Sequence, residues 1–135
     1  MELLHKELTE EVINAFYDVY NELGYGFLES VYLNALAQEL TTRGFQVEVQ
    51  KGIQVFYLKR LVGQYFADIL FENAVIIEVK ATETLCEAHE FQLVNYLKAT
   101  ETEVGLLLNF GKKPECKRKV FSKVKMNTDD ADFYD

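Results

Sequence analysis

Two apolar segments in the middle of the chain carry ionisable residues where a strand normally holds apolar side chains. Asp68 has apolar neighbours on both sides, and Glu78 and Lys80 follow the apolar run 75–77. Because side chains alternate between the two faces of a strand, Glu78 and Lys80 point to the same face. An isolated buried carboxylate is unfavourable unless it is paired or bound to a metal. A fold that buries these segments must therefore supply partners for the charges.

The connection between the two segments decides whether the acids meet. A two-residue loop would place them on opposite faces of the sheet, whereas a three-residue loop, residues 72–74, pairs Phe71 with Val75. The longer loop sets Asp68 directly opposite Glu78. We therefore predict the three-residue loop or an equivalent bulge.

The paired acids allow two chemical interpretations. Two neighbouring carboxylates raise each other's pKa unless a cation lies between them. Lys80 can neutralise one charge, and a Mg²⁺ or Mn²⁺ ion can neutralise both, because oxygen ligands suit these hard cations. The same residues also fit an Asp/Glu–Lys salt-bridge network without a metal. Composition and spacing leave both interpretations open.

Helix and strand patterns surround this central pair of segments. Helical spacing of apolar residues covers 9–23, about 28–43, and 86–100. Strand patterns cover 45–50, 53–58, 62–71, 74–80, 104–110 and 117–124. The order α-α-β-β-β-β-α-β-β predicts an α/β (α+β) fold, a mixed sheet flanked by helices.

The length and composition predict one cytoplasmic domain. The chain has 135 residues, of which 49% are hydrophobic, so we expect a single domain over 1–125. The acidic segment 126–135 is expected to be a disordered tail. No apolar run approaches the roughly 20 residues of a membrane helix, and the acidic N-terminus does not resemble a secretory signal. Cys86 and Cys116 are expected to be reduced thiols.

The charge distribution gives two opposite indications about nucleic acid. The net charge of −8 argues against a broad phosphate-binding surface. Seven of the fourteen basic residues, however, lie between 112 and 125. That segment is either a solvated basic edge or a phosphate-contacting one, and the sequence does not choose between them.

Three motifs connect the central acids to a known family. They are GxxExxY at Gly26, Glu29 and Tyr32, D…ExK at Asp68, Glu78 and Lys80, and QxxxY at Gln92 and Tyr96. With these motifs the chain closely resembles the GxxExxY family, which is placed in the PD-(D/E)XK nuclease superfamily. The resemblance covers about residues 5–122. One departure is Ala67, which precedes the first acid where the superfamily pattern has proline.

The resemblance implies a fold, an activity and roles for individual residues. It implies a restriction-endonuclease-like PD-(D/E)XK core that uses Mg²⁺ (or Mn²⁺) to hydrolyse phosphodiester bonds of nucleic acid, with DNA favoured over RNA. The implied metal ligands are Asp68, Glu78, the Val79 carbonyl and, directly or through water, Glu29. The implied role of Lys80 is to orient the attacking water or stabilise developing charge. Gln92 and Tyr96 are implied to face the same site.

Alternative interpretations remain beside the nuclease hypothesis. The acidic balance is compatible with a catalytically silent nuclease fold that acts as a nucleic-acid-binding or protein-interaction module. A homodimer or an unidentified protein partner is also compatible with the sequence. Among the single residues, Tyr32 can be explained by core packing, Gln92 by a bond to a backbone group, and His89 by packing on its helix.

Overall fold

The computed structural model describes residues 5–123. The predicted acidic tail, residues 126–135, lies outside the described residues. The helices are α1 (Lys6–Leu23), α2 (Glu29–Thr42) and α3 (Glu87–Lys98), and the strands are β1 (Val47–Tyr57), β2 (Arg60–Phe71), β3 (Val75–Lys80), β4 (Val104–Phe110) and β5 (Pro114–Val120). No helix within 5–123 is long and apolar enough to cross a membrane.

The five strands form one mixed sheet in the order β1-β2-β3-β4-β5. Neighbouring strands are antiparallel except for β3 and β4, which are parallel and joined through α3. The predicted mixed sheet flanked by helices is confirmed. The strands predicted over 45–50 and 53–58 form one continuous strand, β1, in which Gln50 has a left-handed φ of 56°.

Apolar side chains cover the sheet on both faces. On one face, α1 and α2 pack against alternate β3 residues such as Val75, Ile77 and Val79. On the other face, α3 packs against the intervening positions, represented by Ile76, and against Leu107 of β4. Burial on both faces explains why the sequence of β3 is nearly continuous in apolar residues. The acid of β3, Glu78, is therefore part of a strand that is buried on both faces.

Most of the β1–β2 hairpin extends beyond its contact with β3. The ladder between β2 and β3 contains only residues 69–71 and 75–77, whereas β1 and β2 pair over nearly their whole length. We call residues 51–67 the β1–β2 arm. Its turn at Leu58 and Lys59 has left-handed φ angles of 47° and 68°. The arm separates from β3 at the positions of the two predicted metal-binding acids.

Candidate metal centre

The loop between β2 and β3 sets the register of the two acids. Phe71 pairs with Val75, and Ile69 pairs with Ile77. The three residues 72–74 form the connection, as predicted, and two of them adopt left-handed φ angles of 51° and 52°. The predicted register is confirmed. Its continuation places Asp68 across from Glu78.

The two carboxylates replace the backbone ladder at the point where β2 and β3 separate. The Asp68 backbone N–H donates to Oε2 of Glu78 at 2.8 Å, and the Val79 backbone N–H donates to Oδ2 of Asp68 at 2.8 Å. Within residues 5–123, neither Oδ1 of Asp68 nor Oε1 of Glu78 accepts a hydrogen bond. Each acid is thus held by the opposing strand and keeps one oxygen for a further ligand.

The Val79 carbonyl belongs to the same arrangement. In an extended strand, the N–H and C=O of one residue point to the same side. Because the Val79 N–H donates to Asp68, the Val79 carbonyl also faces β2 rather than β4. This orientation adds a third oxygen beside the two carboxylates.

Lys80 shares the face of Glu78 without forming a close ion pair. It is the last residue of β3 and is half-buried. It has no ion pair within 4.0 Å among residues 5–123. Its positive charge nevertheless lowers the pKa of Asp68 and of Glu78, although less than burial raises them. The part of the chain that the structure describes therefore does not form the salt-bridge network that the sequence left open.

The GxxExxY segment brings a third acid near the pair. Glu29 is the first residue of α2, and Gly26 has a φ of 111°, a conformation that favours glycine. The Tyr32 hydroxyl donates to the Gly24 carbonyl at 2.7 Å and accepts the Phe27 backbone N–H at 3.1 Å. Tyr32 is fully buried. The two hydrogen bonds of Tyr32 therefore fix the turn that precedes Glu29, so this tyrosine has a role in addition to core packing.

Burial raises the pKa values of all three acids, and the charge of Asp68 adds to this effect at Glu78 and Glu29. Burial and then the charge of Asp68 raise the pKa of Glu78 to about 8. Burial is also the main cause of the raised pKa of Asp68. At Glu29, whose residue is largely exposed, partial burial of the carboxyl raises the pKa and the charge of Lys80 lowers it. Three acids are thus grouped where no ion pair within 4.0 Å offsets them among residues 5–123.

Helix α3 places the QxxxY pair beside the acids. Burial followed by the charges of Glu78 and Asp68 raises the pKa of Tyr96 to about 12, and the Gln92 side chain lies near the Tyr96 hydroxyl. The Nδ1 of His89 accepts the Cys86 backbone N–H at 3.3 Å at the start of α3, and the charge of His89 lowers the pKa of Glu29. Of the predicted residues, Asp68, Glu78, Lys80 and Glu29 lie within electrostatic range of one another. The charges of Asp68 and Glu78 reach Tyr96, and Gln92 lies near Tyr96.

Comparison with known protein families decides which family this arrangement represents. The family model of the PD-(D/E)XK nuclease superfamily matches residues 6–119, which is most of the chain. The chain belongs to this superfamily. PD-(D/E)XK nucleases generally use divalent metal ions and act on nucleic acid. The finer assignment to the GxxExxY family stays a prediction.

A solved structure shows the same fold. The protein SSO0001 aligns with 86% of this chain at a TM-score of 0.51 and 18% sequence identity. The alignment covers 60% of SSO0001, so this chain corresponds to less than two thirds of that protein. No match was found among curated proteins.

The oxygen atoms between β2 and β3 fit the divalent cation that PD-(D/E)XK nucleases use. Two carboxylate oxygens and the Val79 carbonyl form a hard donor set suited to Mg²⁺ or Mn²⁺. Among the described residues, no three His, Cys, Asp or Glu side chains converge on one point. Glu29 therefore stands apart from the pair formed by Asp68 and Glu78.

Two neighbours of the site were not predicted from the sequence. Gln50 falls opposite Asp68, between the pairs Val49–Ile69 and Lys51–Ala67, and its left-handed φ interrupts the ladder there. Tyr65 of the arm lies against Tyr96, with ring centroids 5.7 Å apart. A left-handed glutamine inside a β-pattern has no sequence signature, and a contact between a strand and a helix depends on tertiary packing.

The predicted basic segment is partly occupied by internal contacts. Lys119 on β5 forms an ion pair with Glu90 of α3 at 2.5 Å. Lys123 lies over the Phe121 ring, 4.7 Å from its centroid, and Lys125 is outside the described residues. β5 is the sheet edge beyond β4. These contacts favour a structural role for part of the segment, and Lys117 remains exposed.

Proposed function

We propose that this protein is a metal-dependent nuclease that hydrolyses phosphodiester bonds of nucleic acid, with DNA favoured over RNA. The observation that carries the proposal is the arrangement of Asp68 and Glu78. Each accepts a backbone N–H from the opposing strand at 2.8 Å, and each keeps a second oxygen. Membership in a nuclease superfamily supports the same activity.

The proposed metal ligands are Asp68, Glu78 and the Val79 carbonyl, with Glu29 contributing through water. When bound, Mg²⁺ or Mn²⁺ supplies a more acidic water and neutralises charge on the phosphate. The raised pKa of Glu78, about 8, means that its carboxyl gives up a proton when a cation takes that position. The protein contribution is to fix these oxygens before the substrate arrives.

Lys80 is the proposed positive group of the site. It lies two residues after Glu78 on the same face of β3 and is not engaged by an ion pair within 4.0 Å in the described part of the chain. Its ammonium is therefore available to the phosphate, where it would orient the attacking water or stabilise the charge that develops during hydrolysis. Gln92 and Tyr96 would position the substrate beside it.

The test is cleavage of labelled single- and double-stranded DNA and RNA by the full-length protein with Mg²⁺ or Mn²⁺. We expect cleavage by the wild-type protein and its loss in Asp68→Asn and Lys80→Ala. Glu11→Gln is the matched control, because Glu11 is an exposed acid on α1, and it should cleave normally. Failure of the wild-type protein on all four substrates, or equal cleavage by every variant, would contradict the proposal.

A further inference from the structure

A groove lies between the β1–β2 arm and α3, beside the acids. Its volume is about 810 Å³. Its aromatic walls are Phe56 and Tyr65 from the arm and Phe91 and Tyr96 from α3. The side chains of Phe56 and Phe91 are 57% and 62% exposed. Their ring faces are therefore accessible to a ligand that enters the groove.

The groove adjoins the candidate metal centre, because Tyr65 lies on β2 three residues before Asp68 and packs against Tyr96. Gln92 and Tyr96 both line the groove. The charges of Asp68 and Glu78 act on the Tyr96 hydroxyl, so the acids lie close to this end of the groove. A ligand seated on the aromatic walls would therefore lie beside the acids.

The charges along the groove are positive, in contrast to the chain as a whole. Lys98 is the one charged side chain among the described residues that line it. An adjoining hollow of about 500 Å³ shares Gln54 and Phe56 with the groove, and its one charged side chain among the described residues is Lys51. The chain carries a net charge of −8. Lys51 is ion-paired with Glu48 at 3.3 Å, whereas Lys98 has no ion pair within 4.0 Å among residues 5–123. The charge of Lys98 therefore suits an anionic ligand.

We propose that this groove binds the unpaired bases of single-stranded nucleic acid and leads the strand to the acids. Its position next to the cleaved phosphate rests on the proposed nuclease function. Bases of any sequence stack on aromatic rings, and lysines contact the phosphates. The side-chain amides of Gln54, Gln92 and Asn95 can hydrogen-bond base edges.

Two other ligands fit the groove less well. The base faces of a duplex are covered by stacking, so a duplex could not use the aromatic walls. An apolar protein segment could use those walls, but it would leave Lys98 without a counter-charge. Single-stranded nucleic acid uses the rings, the amides and Lys98 together.

The test is binding measured by fluorescence anisotropy in EDTA, with full-length Glu78→Gln protein as the parent so that cleavage cannot interfere. The probe is a labelled oligothymidylate about ten nucleotides long. A duplex and an abasic strand of the same length are compared with it. We expect the oligothymidylate to bind most tightly. Adding Phe91→Ala or Phe56→Ala should weaken its binding about ten-fold and leave the other two probes unchanged.

Exposed aromatic residues elsewhere provide the matched control. Tyr17 is 40% exposed on α1, which packs on the opposite face of the sheet, and Tyr17→Ala should bind the oligothymidylate like the parent. Equal binding by Phe91→Ala, or equally tight binding of the abasic strand, would overturn the inference. A loss of self-association in Phe91→Ala, seen by sedimentation, would also overturn it by assigning the groove to a protein interface. Groove binding without cleavage by the wild-type protein would instead overturn only the nuclease function.

Discussion

The two faces of the sheet differ in how completely they satisfy the groups that they bury. On the α1/α2 face, apolar side chains from both helices and from β2, β3 and β4 form one large cluster. On the α3 face, the apolar cluster is smaller and shares its space with buried Glu78 and Asn109. The larger cluster provides the stability that allows the other face to hold a poorly compensated charge.

The two buried polar residues of the α3 face show that polarity alone does not distinguish the site. The Asn109 side chain exchanges hydrogen bonds of 2.9 Å with the backbone N–H and C=O of Thr82. Glu78 accepts one backbone N–H, and its pKa is raised to about 8. Asn109 is thus a satisfied structural group, whereas Glu78 is stabilised only when a proton or a cation is added.

The largest expected effect is on metal affinity. Asp68→Asn and Glu78→Gln should each weaken Mn²⁺ binding by at least about 100-fold in calorimetric titration, because each removes a proposed ligand. The double variant should lose much less than the product of the two single losses, since both acids hold the same ion. Glu11→Gln should bind like the wild type. Independent, multiplicative losses would mean that the acids serve separate functions.

The next effect contrasts the two faces by stability. Leu36→Ala truncates a fully buried residue of the α1/α2 cluster and should lower the free energy of unfolding by about 3 kcal/mol in urea titration. Glu78→Gln should instead raise this free energy at pH 8 without metal, because it removes a buried charge. If Glu78→Gln were as destabilising as Leu36→Ala, the acid would be a structural element and the contrast between the faces would fail.

A pH titration sharpens the same contrast. The pKa of Glu78 is about 8 in the folded protein, above its ordinary value of 4.5. Between these two pH values the folded chain retains a proton that the unfolded chain has released, so stability decreases as pH rises. The slope from this group is at most about 1.4 kcal/mol per pH unit. Urea unfolding without metal should show this decrease, and both Glu78→Gln and saturating Mn²⁺ should flatten it. A wild-type curve as flat as that of the variant would contradict the account.

The smallest effect concerns the connection between the α1/α2 face and the site. Tyr32→Phe keeps the buried ring but removes the hydroxyl that contacts Gly24 and Phe27. We expect a loss of about 1 kcal/mol in the free energy of unfolding and weaker cleavage, because the turn before Glu29 loosens. Tyr17→Phe, on the exposed surface of α1, should change neither. Unchanged cleavage by Tyr32→Phe would restrict this tyrosine to core packing.

The sequence was sufficient to predict the geometry wherever a local rule determined it. Alternation along β2 and β3, together with the length of the 72–74 loop, determined that Asp68 would face Glu78. The resemblance to the GxxExxY family also implied that Glu29 would lie near them. The positions of individual helices and strands followed from the periodicity of their apolar residues to within a few positions.

Features that depend on tertiary packing were not predictable in the same way. The strands predicted over 45–50 and 53–58 left a gap at Lys51 and Gly52. Both residues instead pair with β2 inside the continuous strand β1. The arm and the aromatic groove depend on where β2 separates from β3 and on which residues of α3 then face it. Neither property is encoded in a local pattern. Tyr65, Phe91 and Gln50 were therefore not predicted as neighbours of the site or the groove.

The central claim is that Asp68 and Glu78 hold one cation between β2 and β3. Anomalous diffraction from a crystal soaked in Mn²⁺ tests it most directly. We predict a single strong peak about 2.1 Å from one oxygen of each acid and from the Val79 carbonyl. A peak at another place, or two carboxylates that point away from each other with no metal between them, would contradict the account.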